Sequence, residues 1–225
     1  MKLFDVGFSA LLQSFLSKRN LEIVNYNDPD RKKVNVIINE IRKETKLSMS
    51  NTAAQELFIA VIATAKIEGD IAEVGVFQGS SAKVICKGKG ERLLHLFDTF
   101  IGAPKPGNFD NPNLFPEGRY YSDPNEVKKY LAEFPNVNIY EGLFPDTAGP
   151  VENSKFSLVH LDADLYKSTL DCLEFFYPRM SRGGVIITHD YRYMSGVKKA
   201  FDEFFIDKPE IVLGLPSYQS LLIKL

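Results

Sequence analysis

The sequence predicts a doubly wound α/β fold preceded by a helical N-terminal cap. Short apolar runs alternate with helical patterns from Asp70 onward, and this alternation is typical of βαβ units around a parallel sheet. Residues 1–50 show helical periodicity, whereas the C-terminal residues show the pattern of a hairpin. We therefore expect a mainly parallel seven-stranded sheet with an antiparallel C-terminal hairpin strand at or near one edge.

Three helices are predicted before the sheet. The second begins after Asp28-Pro29, a suitable cap and first-turn pair, and the third begins near Ser50. Their apolar residues recur at helical spacing and give each helix a face to bury. The three sets are Phe4, Phe8, Leu11, Leu12 and Phe15; Val34, Ile37, Ile38 and Ile41; and Leu57, Phe58, Val61 and Ile62.

The sheet is predicted from five short apolar runs followed by a hairpin. Their apolar character is typical of strands that helices cover on both faces. The five runs are Ile71–Val76, Leu93–Phe97, Val137–Tyr140, Phe156–Leu161 and Val185–Thr188, and the hairpin joins Glu210–Leu213 to Tyr218–Ile223. The intervening helices are predicted at Ser80–Lys87, Asn125–Phe134, Ser168–Met180 and Ser195–Phe205.

One segment, Thr99–Ser122, has no regular period and holds four prolines and three glycines. Loops longer than about 12–15 residues usually act as lids or binding loops. This loop also follows the second strand, where ligands collect in open α/β sheets. We therefore expect an active-site loop, although a packed surface excursion is the alternative. The whole chain is predicted to form a single domain, with residues 1–68 as the helical cap and 69–225 as the cofactor-binding sheet.

Composition excludes several classes of protein. Lys+Arg number 27 and Asp+Glu 29, giving a net charge of −2, which argues against a nucleic-acid partner. No apolar run approaches the length of a membrane span, and the N-terminus lacks the pattern of a signal peptide. Two cysteines, Cys86 and Cys172, are too few for a disulfide framework. We expect a cytoplasmic protein with no membrane partner.

A candidate cofactor site follows the first strand, where the turn contains Gly75 and Gly79. A dinucleotide fingerprint would need glycine at position 77, but Phe77 stands there and would obstruct a pyrophosphate. S-adenosylmethionine has no phosphate, and its amino-acid end suits N–H groups at a helix start. We predict that Gly75, Gly79, Ser80 and Ser81 form the turn and that Glu73 takes the ammonium group directly or through water.

A second acidic residue, Asp98, ends the second strand. A carboxylate at this position is suited to accept hydrogen bonds from both ribose hydroxyls of a nucleoside. The turn, Asp98 and the closing hairpin together favour a Rossmann-like class I methyltransferase with S-adenosylmethionine as cofactor. A nicotinamide-dependent oxidoreductase on the same type of sheet remains an alternative.

A candidate chemical site combines residues after two neighbouring strands. Asp162, Asp164, His189 and Asp190 should meet at one edge of the sheet. Crowded carboxylates repel each other and therefore need a cation, a shared proton or a basic partner. Oxygen ligands suit Mg²⁺, whereas an imidazole favours Mn²⁺, Fe²⁺ or Zn²⁺. Capping of the following helices by Asp164 and Asp190 is the alternative, and His160 is expected to be a packed core histidine.

Five motifs in this order resemble the macrocin O-methyltransferase (TylF-type) family, whose members methylate sugar hydroxyls in antibiotic pathways. They are EVGVFQGSSA, LFDTFIGAPKP, EGLFPDT, VHLDADLYKST and GGVIITHDY, and the resemblance covers roughly Met49–Phe205. It implies S-adenosylmethionine, a sugar-containing small-molecule substrate and a metal. The matching metal ligands are Asp162, His189 and Asp190, and the matching general base is Asp164. His189 departs from the family, which usually carries Asp there, so the metal is expected to be Mg²⁺ or Mn²⁺ with altered preference.

These residues predict a mechanism and leave three classes of function open. A metal at Asp162 and Asp190 would lower the pKa of a sugar hydroxyl, with Asp164 and His189 as the catalytic residues. The alternatives are the oxidoreductase and a catalytically silent S-adenosylmethionine-binding module. Tyr166 is predicted to line the acceptor pocket or to pack, and so is Tyr191. The apolar N-terminal helices suggest a homodimer.

Overall fold

A computed structural model describes residues 6–19, 28–46 and 48–225. Phe4 of the first predicted stripe lies outside the described residues, as does the side chain of Phe8. The helices, α1 to α7 in chain order, are Val6–Ser17, Pro29–Glu44, Asn51–Ala63, Ser80–Cys86, Pro124–Tyr130, Tyr166–Phe176 and Ser195–Phe204. The strands, β1 to β7, are Asp70–Val74, Leu94–Asp98, Val137–Glu141, Phe156–Leu161, Met180–Thr188, Leu213–Gly214 and Ser220–Ile223.

All seven strands form one sheet in the order β3-β2-β1-β4-β5-β7-β6. The strands from β3 to β5 are parallel, whereas β7 pairs antiparallel with both β5 and β6. The strand order reverses between β1 and β4, which is the position where open α/β sheets bind ligands. The predicted fold class and the antiparallel hairpin strand are therefore confirmed.

Two apolar clusters cover the two faces of the sheet. Successive residues of β1 belong to different clusters, because Ile71 packs on one face and Ala72 on the other. The cluster around Ile71 includes Ile38 of α2 and Leu57 of α3, so these N-terminal helices share a core with the sheet. The other cluster is rich in aromatic residues such as Phe176.

Several predicted boundaries are wrong, including the end of the helix predicted over Asn125–Phe134, which lies at Tyr130. The helix predicted over Ser168–Met180 ends at Phe176, because Pro178 cannot continue a helix and a 3₁₀ turn takes its place. Strand β5 then begins at Met180, whereas the apolar pattern predicted a start at Val185 because glycines interrupt it. The first hairpin strand is Leu213–Gly214 rather than the predicted Glu210–Leu213, and the side chain of Glu210 is instead buried in an ion pair with Lys224.

Among the described residues, no helix is both long and apolar enough to cross a membrane.

Candidate active site

A cavity of about 420 Å³ opens at the carboxyl ends of the five parallel strands. Each strand contributes residues at or immediately after its C-terminal end, which places chemistry from distant parts of the chain around one space. These contributions are Gly75 after β1, Asp98 and Thr99 at the end of β2, Gly142 after β3, Asp162, Ala163 and Asp164 after β4, and His189 and Asp190 after β5.

Gly75 brings the turn after β1 against the end of β4. Its φ is +89°, a region that L-residues rarely adopt. A Cβ atom at this position would lie 2.0 Å from the backbone oxygen of Asp162, so only glycine fits. Its N–H donates to the carbonyl of Phe97 on the other side, 2.9 Å away. The turn therefore depends on glycine here, as predicted, and the reason includes close packing against the aspartate motif.

The carboxylate of Asp98 organises the same turn. It accepts hydrogen bonds from the backbone N–H groups of Val76 at 2.7 Å, Phe77 at 2.8 Å and Phe100 at 2.7 Å. A carboxylate has about four acceptor positions, so about one is left for a ligand. The expected contact with both ribose hydroxyls stays a prediction. Sequence reasoning missed this structural role because the three donors lie in two different turns.

The remaining predicted cofactor residues lie behind the cavity wall. Glu73 is fully buried, and its Oε1 lies 2.8 Å from Nδ1 of His160. Burial raises the pKa of Glu73, and the hydrogen bond with His160 opposes that shift. Its Oε2 has no hydrogen-bond partner among the residues that the structure describes. Gly79 adopts φ +81° at the start of α4, where Ser80 and Ser81 are buried. Their contacts with a cofactor stay predictions, whereas the packed role expected for His160 is confirmed.

Asp162, His189 and Asp190 come together as predicted. Nδ1 of His189 lies 3.3 Å from Oδ1 of Asp162 and 3.0 Å from Oδ2 of Asp190, without the geometry of a hydrogen bond to either. One ligand atom from each residue lies within 4.8 Å of the others. Burial by itself lowers the pKa of His189, but the charges of Asp162 and Asp190 raise it to about 11. The imidazolium thus neutralises carboxylates that would otherwise repel each other.

Asp164 lies beside this cluster in a left-handed backbone conformation, with φ +59°. Burial raises the pKa of Asp164 well above its usual range, and the charges of Asp162 and Asp190 raise it further. Capping of the next helix does not explain the residue. Leu165 occupies the N-cap position of α6, and the first N–H of that helix, from Tyr166, bonds to Asp110 instead.

Capping does not explain Asp190 either, since Met194 occupies the N-cap position of α7. The two tyrosines proposed for the acceptor pocket pack elsewhere. The hydroxyl of Tyr166 donates to Glu203 at 2.7 Å, and that of Tyr191 donates to Asp202 at 2.9 Å. Neither lines the cavity.

The loop Thr99–Ser122 forms one wall of the cavity. Phe115 anchors it with 3% of its surface exposed, and Arg119 lies over the rings of Phe115 and Tyr120. The cap contributes Ser48, and the segment after β5 contributes Tyr193 and Met194. Sequence reasoning missed Arg119 and Tyr193 because neither belongs to a spacing pattern. The wall residues of this loop are Thr99, Gly102, Ala103, Pro104, Asn113, Leu114, Phe115, Arg119 and Tyr120.

Residues 49–211 match the model of the macrocin-O-methyltransferase (TylF) family. The chain belongs to this family. The match confirms the resemblance predicted from the five motifs and extends a few residues beyond Phe205.

Three curated relatives are similar over part of their length. The chain is 29% identical over 141 residues to 8-demethyl-8-(2,3-dimethoxy-alpha-L-rhamnosyl)-tetracenomycin-C 4'-O-methyltransferase of Streptomyces olivaceus, covering 56% of this chain and 54% of that protein. It is 27% identical over 154 residues to demethyldecarbamoylnovobiocin O-methyltransferase of Streptomyces niveus, covering 61% of this chain and 58% of that protein. It is 28% identical over 142 residues to mycinamicin III 3''-O-methyltransferase of Micromonospora griseorubida, covering 56% of each. The chain thus spans about half the length of the curated relatives it matches.

Solved structures share the fold. The O-methyltransferase NovP superposes with a TM-score of 0.70 at 22% identity, covering 96% of this chain and 99% of NovP. The calicheamicin methyltransferase CalS11 superposes with a TM-score of 0.66 at 19% identity, covering 98% of this chain and 94% of CalS11. At these identities the similarity establishes the class I methyltransferase fold.

Proposed function

We propose that the protein is an S-adenosylmethionine-dependent O-methyltransferase that methylates a hydroxyl of a sugar or glycosylated small molecule. The observation that carries the proposal is one cavity holding the Gly75 turn and the cluster of Asp162, His189 and Asp190, with Asp164 beside it. Family membership and the sugar-modifying relatives support the same reaction and substrate class.

The residues around the first turn fit S-adenosylmethionine. Asp98 keeps about one acceptor position for a ribose hydroxyl, and Gly75 leaves the turn open to the cavity. Glu73 has an unpartnered oxygen that suits an ammonium group reached through water. Gly79, Ser80 and Ser81 are proposed to serve the amino-acid end. The sulfonium supplies a methyl carbon that an oxygen nucleophile can attack.

The cluster of Asp162, His189 and Asp190 offers a set of donor atoms that fits a divalent cation. Asp162, Asp190 and His189 offer two carboxylates and one imidazole, and Nδ1 of His189 has no hydrogen-bond partner. An imidazole binds a metal only as the neutral base, so His189 would give up its proton. This mixed donor set favours Mn²⁺ over Mg²⁺. A bound cation would supply a Lewis acid that lowers the pKa of the acceptor hydroxyl.

Asp164 is proposed as the general base. As the acceptor oxygen bonds to the methyl carbon, the carbon–sulfur bond breaks and Asp164 takes the hydroxyl proton. Burial and the charges of Asp162 and Asp190 raise the pKa of Asp164, and a cation held by those two carboxylates would offset the part of the rise that comes from their charge, leaving Asp164 ionised to accept the proton. The loop Thr99–Ser122 and the cap residue Ser48 would exclude water from the site.

Thermal denaturation with S-adenosylhomocysteine or NAD tests the cofactor assignment. A ligand at 100 times its Kd adds about 2.7 kcal/mol to the free energy of unfolding. For a domain of this size, this raises Tm by roughly 5–10 °C. We expect the shift with S-adenosylhomocysteine and none with NAD. A shift with NAD alone would overturn the proposal in favour of an oxidoreductase.

The metal assignment is tested by methyl transfer to a sugar-containing acceptor and by Tm, with Mn²⁺ or a chelator. We expect chelation to lower both the rate and Tm, and Asp190→Asn to abolish the response to Mn²⁺. Asp171→Asn on α6 is the matched control, because Asp171 pairs with Lys167 away from the cavity. A chelator-insensitive rate would remove the metal from the mechanism. Cofactor binding without transfer under any metal condition would favour a silent binding module.

The association state and the location of the protein are proposals as well. A homodimer through the N-terminal helices is supported by exposed apolar side chains on all three of them, including Leu11, Phe15, Val36, Ile59 and Ile62. A monomeric mass in solution scattering would contradict the dimer. Cys86 and Cys172 are both free and buried, which supports a reducing cytoplasm. The shared core of α2, α3 and the sheet supports one domain with residues 1–68 as its cap.

A further inference from the structure

The carboxylate of Asp110 joins the loop Thr99–Ser122, called the cavity loop below, to the start of α6. Its Oδ2 accepts a hydrogen bond from the backbone N–H of Gly107 at 2.9 Å, within the loop. Its Oδ1 accepts one from the backbone N–H of Tyr166 at 2.8 Å, 56 residues along the chain. Asp110 does not line the cavity.

The bond to Tyr166 caps a helix that has no side-chain cap of its own. Leu165 occupies the N-cap position of α6 and offers no side-chain acceptor. An acidic group at a helix N-terminus satisfies an otherwise unpaired N–H and interacts favourably with the helix dipole. The loop therefore supplies a cap that helices usually take from their own N-cap residue.

The same stretch of loop also contacts the start of α7. Ser195 Oγ donates to the carbonyl of Phe109 at 3.3 Å, and the Phe109 ring packs edge-on against Tyr166 with centroids 4.7 Å apart. Nζ of Lys199 lies 4.5 Å from the centre of the Phe109 ring. At Gly196, a Cβ atom would lie 2.1 Å from Oδ1 of Asp110, so the contact requires glycine.

Both helix starts lie directly downstream of the aspartate motifs. Asp164 lies two residues before the start of α6 in a tight turn, in which the N–H of Leu165 donates to the carbonyl of Ala163 at 2.6 Å. Asp190 precedes α7, and its carbonyl accepts from the N–H of Met194 at 2.8 Å. A restraint on the two helix starts is therefore a restraint on the two motifs.

We propose that Asp110 is a positioning residue that couples the cavity loop to the aspartate motifs. Its carboxylate holds the start of α6 against that of α7, so Asp164 and Asp190 keep their working geometry while the loop covers the cavity. This inference rests on the proposed methyltransferase function. Because a displacement of about 1 Å at a reacting group can cost about a hundredfold in rate, loss of this restraint acts on kcat.

Asp110→Ala tests the coupling directly. We expect kcat to fall about ten- to hundredfold, with the KM for S-adenosylmethionine within about twofold because the Gly75 turn is not touched. Trypsin should cleave the loop faster after Arg119, which is exposed. Asp110→Asn keeps an amide oxygen for the N–H of Tyr166 and should restore much of the rate.

Gly196→Ala disturbs the same contact of Asp110 from the α7 side, where the new Cβ would meet the carboxylate. Alanine normally favours a helix over glycine, so a merely helical effect would be neutral or stabilising. We expect instead the kinetic defect and the faster cleavage of Asp110→Ala, because the new Cβ displaces the carboxylate. Wild-type kcat and wild-type cleavage in both variants would overturn the proposal.

Asp123→Ala is the matched control, since Asp123 caps α5 by accepting from the N–H of Asn125 at 2.8 Å. We expect a comparable fall in Tm with unchanged kcat at temperatures where the variant is folded. An equal loss of kcat would show general destabilisation and overturn the coupling. If the wild-type protein transfers no methyl group, the proposed function fails, and unchanged cleavage in Asp110→Ala would then overturn the coupling separately.

Discussion

Asp162 and Asp164 carry the same side chain two residues apart, yet their surroundings shift their pKa values in opposite directions. Burial would raise the pKa of Asp162, but the charge of His189 lowers it below the usual range. Burial raises the pKa of Asp164, and two neighbouring carboxylates raise it further. Opposed shifts of neighbouring acidic groups are typical of acid–base sites, and they support the proposed roles of Asp162 as a metal ligand and of Asp164 as a proton acceptor once a cation offsets the surrounding negative charge.

Asp164→Asn should keep cofactor binding and lose most turnover. The amide cannot accept the hydroxyl proton, so we expect kcat to fall by about 10²–10⁴-fold. Asp171→Asn, on α6 but outside the lining of the cavity, is the control and should retain wild-type kcat. The measurement combines single-turnover methyl transfer with the Tm shift caused by S-adenosylhomocysteine. Equal turnover in variant and wild type would remove Asp164 from the mechanism.

At the scale of elements, the segments that follow the strands fix the positions of the site residues through close contacts. Gly75 and Gly196 have the same reason for being glycine, since a Cβ at either position would collide with an oxygen of an aspartate. In one case it is the backbone oxygen of Asp162, and in the other it is the carboxylate of Asp110. The turn after β1 and the start of α7 therefore each hold a close contact between segments distant in sequence.

Gly75→Ala is expected to destabilise the fold by several kcal/mol. The positive φ costs about 1–3 kcal/mol, and the contact with backbone adds to it because backbone cannot move aside. Gly90→Ala is the control, with φ +62° and no atom within 4 Å of the new Cβ, and should cost about 1–2 kcal/mol. Denaturant unfolding measures both, and equal losses would contradict the close contact.

At the scale of the whole molecule, an ion pair between the buried Glu210 and Lys224 stabilises the C-terminal end of the chain. Glu210 accepts hydrogen bonds from Nζ of Lys224 at 2.6 Å and from the hydroxyl of Tyr177 at 2.7 Å. Burial would raise the pKa of Glu210, but these bonds lower it to about 2. A depressed pKa means that the ionised form stabilises the folded state above the ordinary pKa of about 4.5, and that this stability is lost as pH falls toward 2.

Glu210→Gln should therefore lower Tm at pH 7 by several degrees. Hydrogen bonds to a charged group contribute about 1.5–3 kcal/mol, and Lys224 would lose its counter-charge. The difference from wild type should shrink as pH falls from about 4.5 toward 2, because the wild-type carboxylate is then protonated too. Exposed Glu152→Gln should show no such pH-dependent difference. A constant gap across this range would contradict the role of the charge.

Periodicity and motif order were sufficient for the fold class and for most of the candidate site. Strand Phe156–Leu161 was predicted with its observed bounds, because an uninterrupted apolar run is a local signal. The meeting of Asp162 with Asp190 followed from the rule that adjacent parallel strands end at one edge. Strand β5 was misplaced at its start because Gly183 and Gly184 carry no apolar side chain, and only pairing with neighbours reveals it.

The sequence by itself determined the alternation of elements, the family and the residue types of the site, since these follow from local pattern and from motifs. The tertiary structure decided which polar atoms of the candidate site already have hydrogen-bond or packing partners within the protein. It places three backbone donors on Asp98, buries Glu73 against His160 and brings Asp110 to the start of α6. Such contacts join residues that share no spacing, and hydrogen bonding and burial depend on distance in space rather than along the chain.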